Sequence, residues 1–152
     1  MAADPGKYRL RVAATDSNGK SGAVDYEIDA SLTPAGPLQL GQLLLLGPRG
    51  ESFSPQMQFK DEAEMAAYIE IYGPVGTSKV GAKIEIAPTA DGKAVVEGQV
   101  GGSGTSEADK FILNAKLAIA SLPPGDYVVR AIVQVEGQPE GRVTRTMRKL
   151  PK

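Results

Sequence analysis

Tyr68, Glu70 and Tyr72 stand at alternate positions of one extended run, so two phenol rings and a carboxylate share the outward face of a strand. Such a face could be a stacking platform for a sugar or a peptide. The plainer role of the same side chains is to stabilise a sheet by cross-strand contact, and a chain with no Trp and five Tyr has few large aromatics for a binding site. Asp16, Asp25, Glu27 and Asp29 offer the oxygens that calcium takes, but the alternation of the last three spreads them along a solvated face without a compact ligand loop. Gly101-Gly102-Ser103-Gly104-Thr105-Ser106 has the composition of a phosphate-cradling loop. It lacks the Lys-Ser/Thr pair opening a helix, and Glu107 follows instead, so it reads as a plain loop.

Two further patches are candidate interfaces. Arg142, Arg145, Arg148, Lys149 and Lys152 leave the last eleven residues basic with no acid among them. That pattern fits an edge strand guarded by charge, or a contact for an anion or an acidic partner. Arg145 is unusual in holding the inward parity of Val143 and Met147. Val128 and Ile132 lie on the face opposite Tyr127 and Val129, where a free strand would be polar; their apolar character predicts a covered face.

Composition narrows the chemistry further. There is no Cys and no His, which removes disulfides, zinc-thiolate sites, thiol nucleophiles and every histidine-assisted triad. An enzyme would have to work with carboxylates, Lys or Tyr alone, and no paired acids sit at strand ends in a recognisable frame. A non-enzymatic chain without cofactor or metal site is the expectation. The net charge of −1 gives no global field to gather nucleic acid, and apolar runs such as Leu43 to Leu46 are far too short to insert in a membrane.

The elements that position these residues are strands. The 18 Gly and 11 Pro fall mostly between runs of period two, the signature of short strands and tight turns. Tyr8, Leu10, Val12 and Ala14 alternate with polar neighbours, Asp16-Ser17-Asn18-Gly19 turns the chain, and Val24, Tyr26 and Ile28 return. The words recur: sliding the sequence by 119 positions aligns Pro5, Gly6, Tyr8, Arg11, Gly22 and Val24 with Pro124, Gly125, Tyr127, Arg130, Gly141 and Val143 without a gap. From Leu38 onward seven strands are expected, at 38–46, 67–72, 80–87, 94–100, 111–119, 127–135 and 142–149, with one helical turn at Asp61–Met65. Leu122 and Tyr127 occupy the places of a tyrosine corner, in which the Tyr at the start of the sixth strand bonds back to upstream backbone.

The predicted fold is therefore all-β: a seven-stranded immunoglobulin-like or fibronectin type III-like sandwich plus an N-terminal β-hairpin from a preceding repeat. Residues 1–4 read as a leader, 5–30 as the hairpin, 31–37 as a linker and 38–150 as the sandwich. An isolated two-stranded hairpin is marginal in water, so residues 5–30 should join some sheet, as the tail of a preceding sandwich or by strand addition. Covering Val128 and Ile132 is one such destination, and hairpin exchange in a homodimer is another.

The phrases Phe53-Ser54-Pro55, Ala67-Tyr68-Ile69-Glu70-Ile71-Tyr72-Gly73, Pro124-Gly125-Asp126-Tyr127-Val128-Val129-Arg130-Ala131 and Gly141-Arg142-Val143-Thr144-Arg145-Thr146 resemble the C-terminal region of large bacterial von Willebrand factor A-related (VWFA-related) proteins. The resemblance spans nearly the whole chain. It implies an exported, periplasmic or cell-surface protein in which β-sandwich segments follow a metal-dependent adhesion domain. The adhesion motif Asp-x-Ser-x-Ser is absent, since Asp16 is followed by Ser17, Asn18 and Lys20, so no metal ligand is carried over. The function expected is that of a non-catalytic structural or protein-interaction module, whose partners are neighbouring domains or another protein; the alternative is a carbohydrate- or peptide-binding module using the Tyr68, Glu70, Tyr72 face.

Overall fold

The computed structural model describes residues 4–74, 79–104 and 109–151. Every regular element in them is a strand, as the alternating patterns predict. The chain divides into two compact units after Leu32.

The first unit is a hairpin of β1 (Lys7–Thr15) and β2 (Ser21–Asp29), antiparallel and in continuous register from Lys7 opposite Asp29 to Thr15 opposite Ser21. Asp16 shapes the connection: its Oδ1 accepts from the amides of Asn18 and Lys20 at 2.8 and 2.9 Å, and Gly19 takes φ +79°. Side chains alternate across this ribbon. One face carries the pairs Tyr8/Ile28, Leu10/Tyr26 and Val12/Val24, and the other Lys7/Asp29, Arg9/Glu27 and Arg11/Asp25. All eighteen residues are exposed.

The second unit holds β3 (Thr33–Ala35), β4 (Leu38–Leu40), β5 (Leu44–Arg49), β6 (Ser52–Pro55), β7 (Gln58–Phe59), β8 (Glu64–Tyr72), β9 (Val80–Ala87), β10 (Val96–Gly104), β11 (Lys110–Ala118), β12 (Gly125–Val135) and β13 (Gly141–Lys149). They form one curled sheet in the order β3-β4-β8-β11-β10-β9-β12-β13-β7, with β5 pairing β6 and β8. The curl is made at β10, whose residues 99–104 pair with β11 while 96–98 pair with β9. Inward side chains of the two halves then meet in one core, among them Leu38, Leu40, Phe59, Met65, Ile69, Ile84, Ile86, Leu117, Val129 and Met147. Each such side chain stabilises the fold by about 1.5–3 kcal/mol relative to exposure. β8 shows the cause most plainly: Met65, Ala67, Ile69 and Ile71 are buried and the residues between them are not.

Among the described residues eleven strands rather than seven make this unit, because one expected run is divided and three short strands, β3, β6 and β7, form outside the expected runs. The expected strand 38–46 breaks after Leu40, where the Gly41 amide turns to donate to the Glu70 carbonyl at 2.8 Å. Within the expected linker, Thr33–Ala35 pairs back on Leu38–Leu40 as β3. Asp61–Met65 forms no helical turn; Glu62 Oε2 instead accepts from the Lys60 amide at 2.6 Å, and Met65 belongs to β8. The expected strand 94–100 starts later and runs on through Gly101–Gly104, so the first four residues of the glycine-rich tip are strand. Thr105, Ser106 and Glu107 lie outside the described residues, as do Met1–Ala3 and Lys152.

Candidate functional site: the tyrosine face and the basic edge

Strict alternation in β8 brings Tyr68, Glu70 and Tyr72 to one face, half-buried. Glu70 is the hub. Its Oε1 accepts from the Tyr68 hydroxyl at 3.1 Å, its Oε2 accepts from the Tyr72 hydroxyl, and Lys110 Nζ lies 3.4 Å from Oε1. Lys110 arrives from β11, where it is the register partner of Tyr72, and its ammonium stands 5.6 Å from that ring's centroid. The Tyr72 hydroxyl bond, followed by those of Tyr68 and Lys110, holds the Glu70 carboxyl below the ordinary glutamate value despite its partial burial. Burial first, and the Glu70 carboxylate second, push the Tyr68 phenol up. The face is thus a clasp in which two phenols and an ammonium satisfy one carboxylate. What it offers a ligand is ring surface rather than open hydroxyls.

The basic residues of β13 do not act as one patch. Arg142 binds Asp91 at 2.9 Å and Glu140 at 3.1 Å. Arg148 forms a two-bond fork on Asp126, at 2.6 and 3.0 Å, which lowers the Asp126 carboxyl below its usual range. Lys149 shares the inward parity and is 4% exposed, its Nζ donating to the carbonyls of Lys60 at 2.9 Å and Glu62 at 3.4 Å. Arg145 is exposed and, among the described residues, makes no ion pair; it borders a groove of about 170 Å³ with Leu44, Pro55, Gln56 and Met57.

Val128 is half-buried and Ile132 is 6% exposed, on the outward face of β12. Between them Arg130 reaches Glu85 of β9, and its Nη1 donates to the Ala90 carbonyl at 2.7 Å, so the segment following β9 is tied over this face. Lys83 and Arg142 flank Ile132 in register on either side. Nothing in the sequence marks the Glu85–Arg130 pair, since 45 residues separate its members; only the pairing of β9 with β12 makes them neighbours.

The acidic residues of the hairpin are each engaged locally. Asp25 takes the Arg11 guanidinium at 2.7 and 2.8 Å, Glu27 lies 3.7 Å from Arg9, and Asp29 accepts from the Ser31 amide at 2.9 Å. No group of three potential metal-ligating His, Cys, Asp or Glu occurs among the described residues. Tyr127 Oη donates to the Pro123 carbonyl at 2.9 Å, and Tyr8 donates in the same way to Asp4; Leu122 beside this corner is buried. No family model matches the chain, and no curated protein matches it significantly.

Proposed function

We propose that this chain is a non-catalytic structural or protein-interaction β module of an exported or cell-surface multidomain bacterial protein. One observation carries the reading: the repeat extends from sequence to hydrogen bonding. β1–β2 and β12–β13 share one pairing register under the 119-residue offset, Lys7 opposite Asp29 in the first and Asp126 opposite Arg148 in the second. Both tyrosines bond the carbonyl four residues upstream. A chain that builds one hairpin twice, a domain's length apart, is laid out as successive units. The strand order supports a finer reading of the second unit. With β4, β8, β11 and β10 in one half of the curled sheet and β9, β12 and β13 in the other, this order is compatible with the immunoglobulin-type division of strands. The resemblance to the C-terminal regions of VWFA-related proteins supports the exported setting. Protease added to intact cells that carry the full-length protein should cleave within or beside this segment; cleavage only after lysis of every compartment overturns the exported reading.

A second reading, carbohydrate or peptide binding, is favoured by one feature, the fixed spacing of the Tyr68 and Tyr72 rings about Glu70. The Tyr68→Ser, Tyr72→Ser double variant should then lose signal on glycan and peptide arrays. Equal signals from variant and parent remove the idea.

A further inference from the structure

We propose that β1–β2 is a docking element that completes a sandwich whose other strands, of the same kind as residues 33–119, belong to a preceding module. The inference rests on the successive-module reading and adds the surface, the edge and the occupant. Tyr8, Leu10, Val12, Val24, Tyr26 and Ile28 form one continuous apolar face, with exposures from 38% for Ile28 to 67% for Tyr26. Salt links zip the opposite face, so the two sides of this ribbon are built for different surroundings. Carried forward by 119 positions, the apolar face becomes Tyr127, Val129, Ala131, Val143, Arg145 and Met147. There Val129, Ala131, Val143 and Met147 are at most 7% exposed, covered by the facing half of the sheet.

Two details say what kind of cover the first hairpin is made for. Gly141 must lack a side chain: a Cβ there would stand 2.4 Å from the Ala35 Cβ, 2.8 Å from the Pro34 carbonyl oxygen and 2.9 Å from Leu40. Its counterpart Gly22 has nothing within 4 Å and no positive φ, yet it is also glycine. A strand glycine that packs nothing and turns nothing weakens its ribbon, unless another backbone is to approach it closely. The second detail is the edge. β12 pairs with β9 from Val128 to Val135, which corresponds to residues 9–16, and the matching edge of β1 carries no strand among the described residues. A second copy packing its own hairpin face to face would cover the apolar side, but it would bring no strand to that edge and nothing that requires glycine at position 22.

The test is a lengthened chain in which residues 33–123 are placed ahead of Pro5, so that Pro123 leads into Pro5 as it leads into Pro124. Hydrogen exchange of the amides at 7–29 should slow by about a hundredfold against the unextended chain, and Gly22→Val should abolish that gain. A parallel chain carrying residues 124–149 in place of 5–30 reports whether the added strands accept any hairpin. Protection of that hairpin but not of 5–30, or of neither, overturns the proposal. Concentration-dependent dimerisation of the unextended chain that protects 7–29 makes a second copy the occupant and also overturns it, while leaving the exported-module reading to its own protease test.

Discussion

Arg130 Nε donates to Glu85 Oε1 at 2.5 Å, and the two side chains are only 8% and 3% exposed. They sit opposite each other on the outward faces of β12 and β9, where a solvated pair would contribute little. Here the segment carrying Ala90 shuts water out, and the second guanidinium nitrogen is satisfied by the Ala90 carbonyl at 2.7 Å. Removing one partner strands the other charge in a dry place. Arg130→Met should therefore cost about 3–5 kcal/mol, since among the described residues Glu85 keeps only Lys83, at 3.5 Å, as an ion-pair partner. The Glu85→Leu, Arg130→Leu double variant should recover most of that loss in urea unfolding, and equal losses in single and double variants would count against a charge-pair origin.

The two equivalent glycines should respond oppositely to a methyl group. Gly141→Ala drives Cβ into Ala35, Pro34 and Leu40, with backbone among the atoms that must move, so a loss of about 1–3 kcal/mol is expected. Gly22→Ala enters open space and should change the stability of the hairpin by no more than about 0.5 kcal/mol. Urea unfolding reports the first and amide exchange over residues 7–29 the second. A silent Gly141→Ala would mean that β3 and β13 yield to each other without cost.

Tyr127 fixes the entry into β12 through its hydroxyl bond to Pro123, at a site the solvent reaches. Tyr127→Phe keeps the ring and deletes the bond, for an expected loss of about 1 kcal/mol. Tyr127→Ala also removes a ring packed on the core and should lose more. The contrast between the two variants, measured by thermal or urea unfolding, separates the corner's hydrogen bond from its packing.

What the sequence disclosed is what depends on near neighbours. The alternation Met65, Ala67, Ile69, Ile71 marks β8 and puts Tyr68, Glu70 and Tyr72 together, because strand geometry alone decides which side chains share a face. The repeat disclosed both hairpins and the places of their tyrosines. Features that depend on distant partners were not legible. Leu38–Leu46 looks like one strand until Gly41 finds the Glu70 carbonyl, and β10 serves two neighbours in succession, which no local pattern encodes. The four basic residues of β13 form a tidy charge run in sequence. Their roles diverge only when Asp91, Asp126 and the Lys60 carbonyl come within reach from other segments. Lys110, which completes the Glu70 clasp, is likewise invisible before β11 pairs with β8.

That clasp sets the direction of a pH dependence. The Glu70 carboxyl is held below its ordinary 4.5, chiefly by the Tyr72 hydroxyl, then by Tyr68 and Lys110. At Glu62, burial pushes the carboxyl up, but hydrogen bonds from Gln56 and the Lys60 amide outweigh it and the net direction is also down. A carboxyl with a lower pKa folded than unfolded favours the folded state fully above the unfolded value and loses that advantage as pH falls through the folded value. Stability of the second unit should therefore hold above about pH 4.5 and decline below it. Glu70→Gln removes the titrating group but leaves an amide that can still accept from a phenol, so it should flatten part of the acid decline at a cost near neutrality of about 1 kcal/mol. Urea midpoints from about pH 3 to about pH 7 would read both effects. An acid limb of unchanged slope in Glu70→Gln would show that the clasp contributes nothing to it, and would assign the decline to Glu62 and the remaining acids.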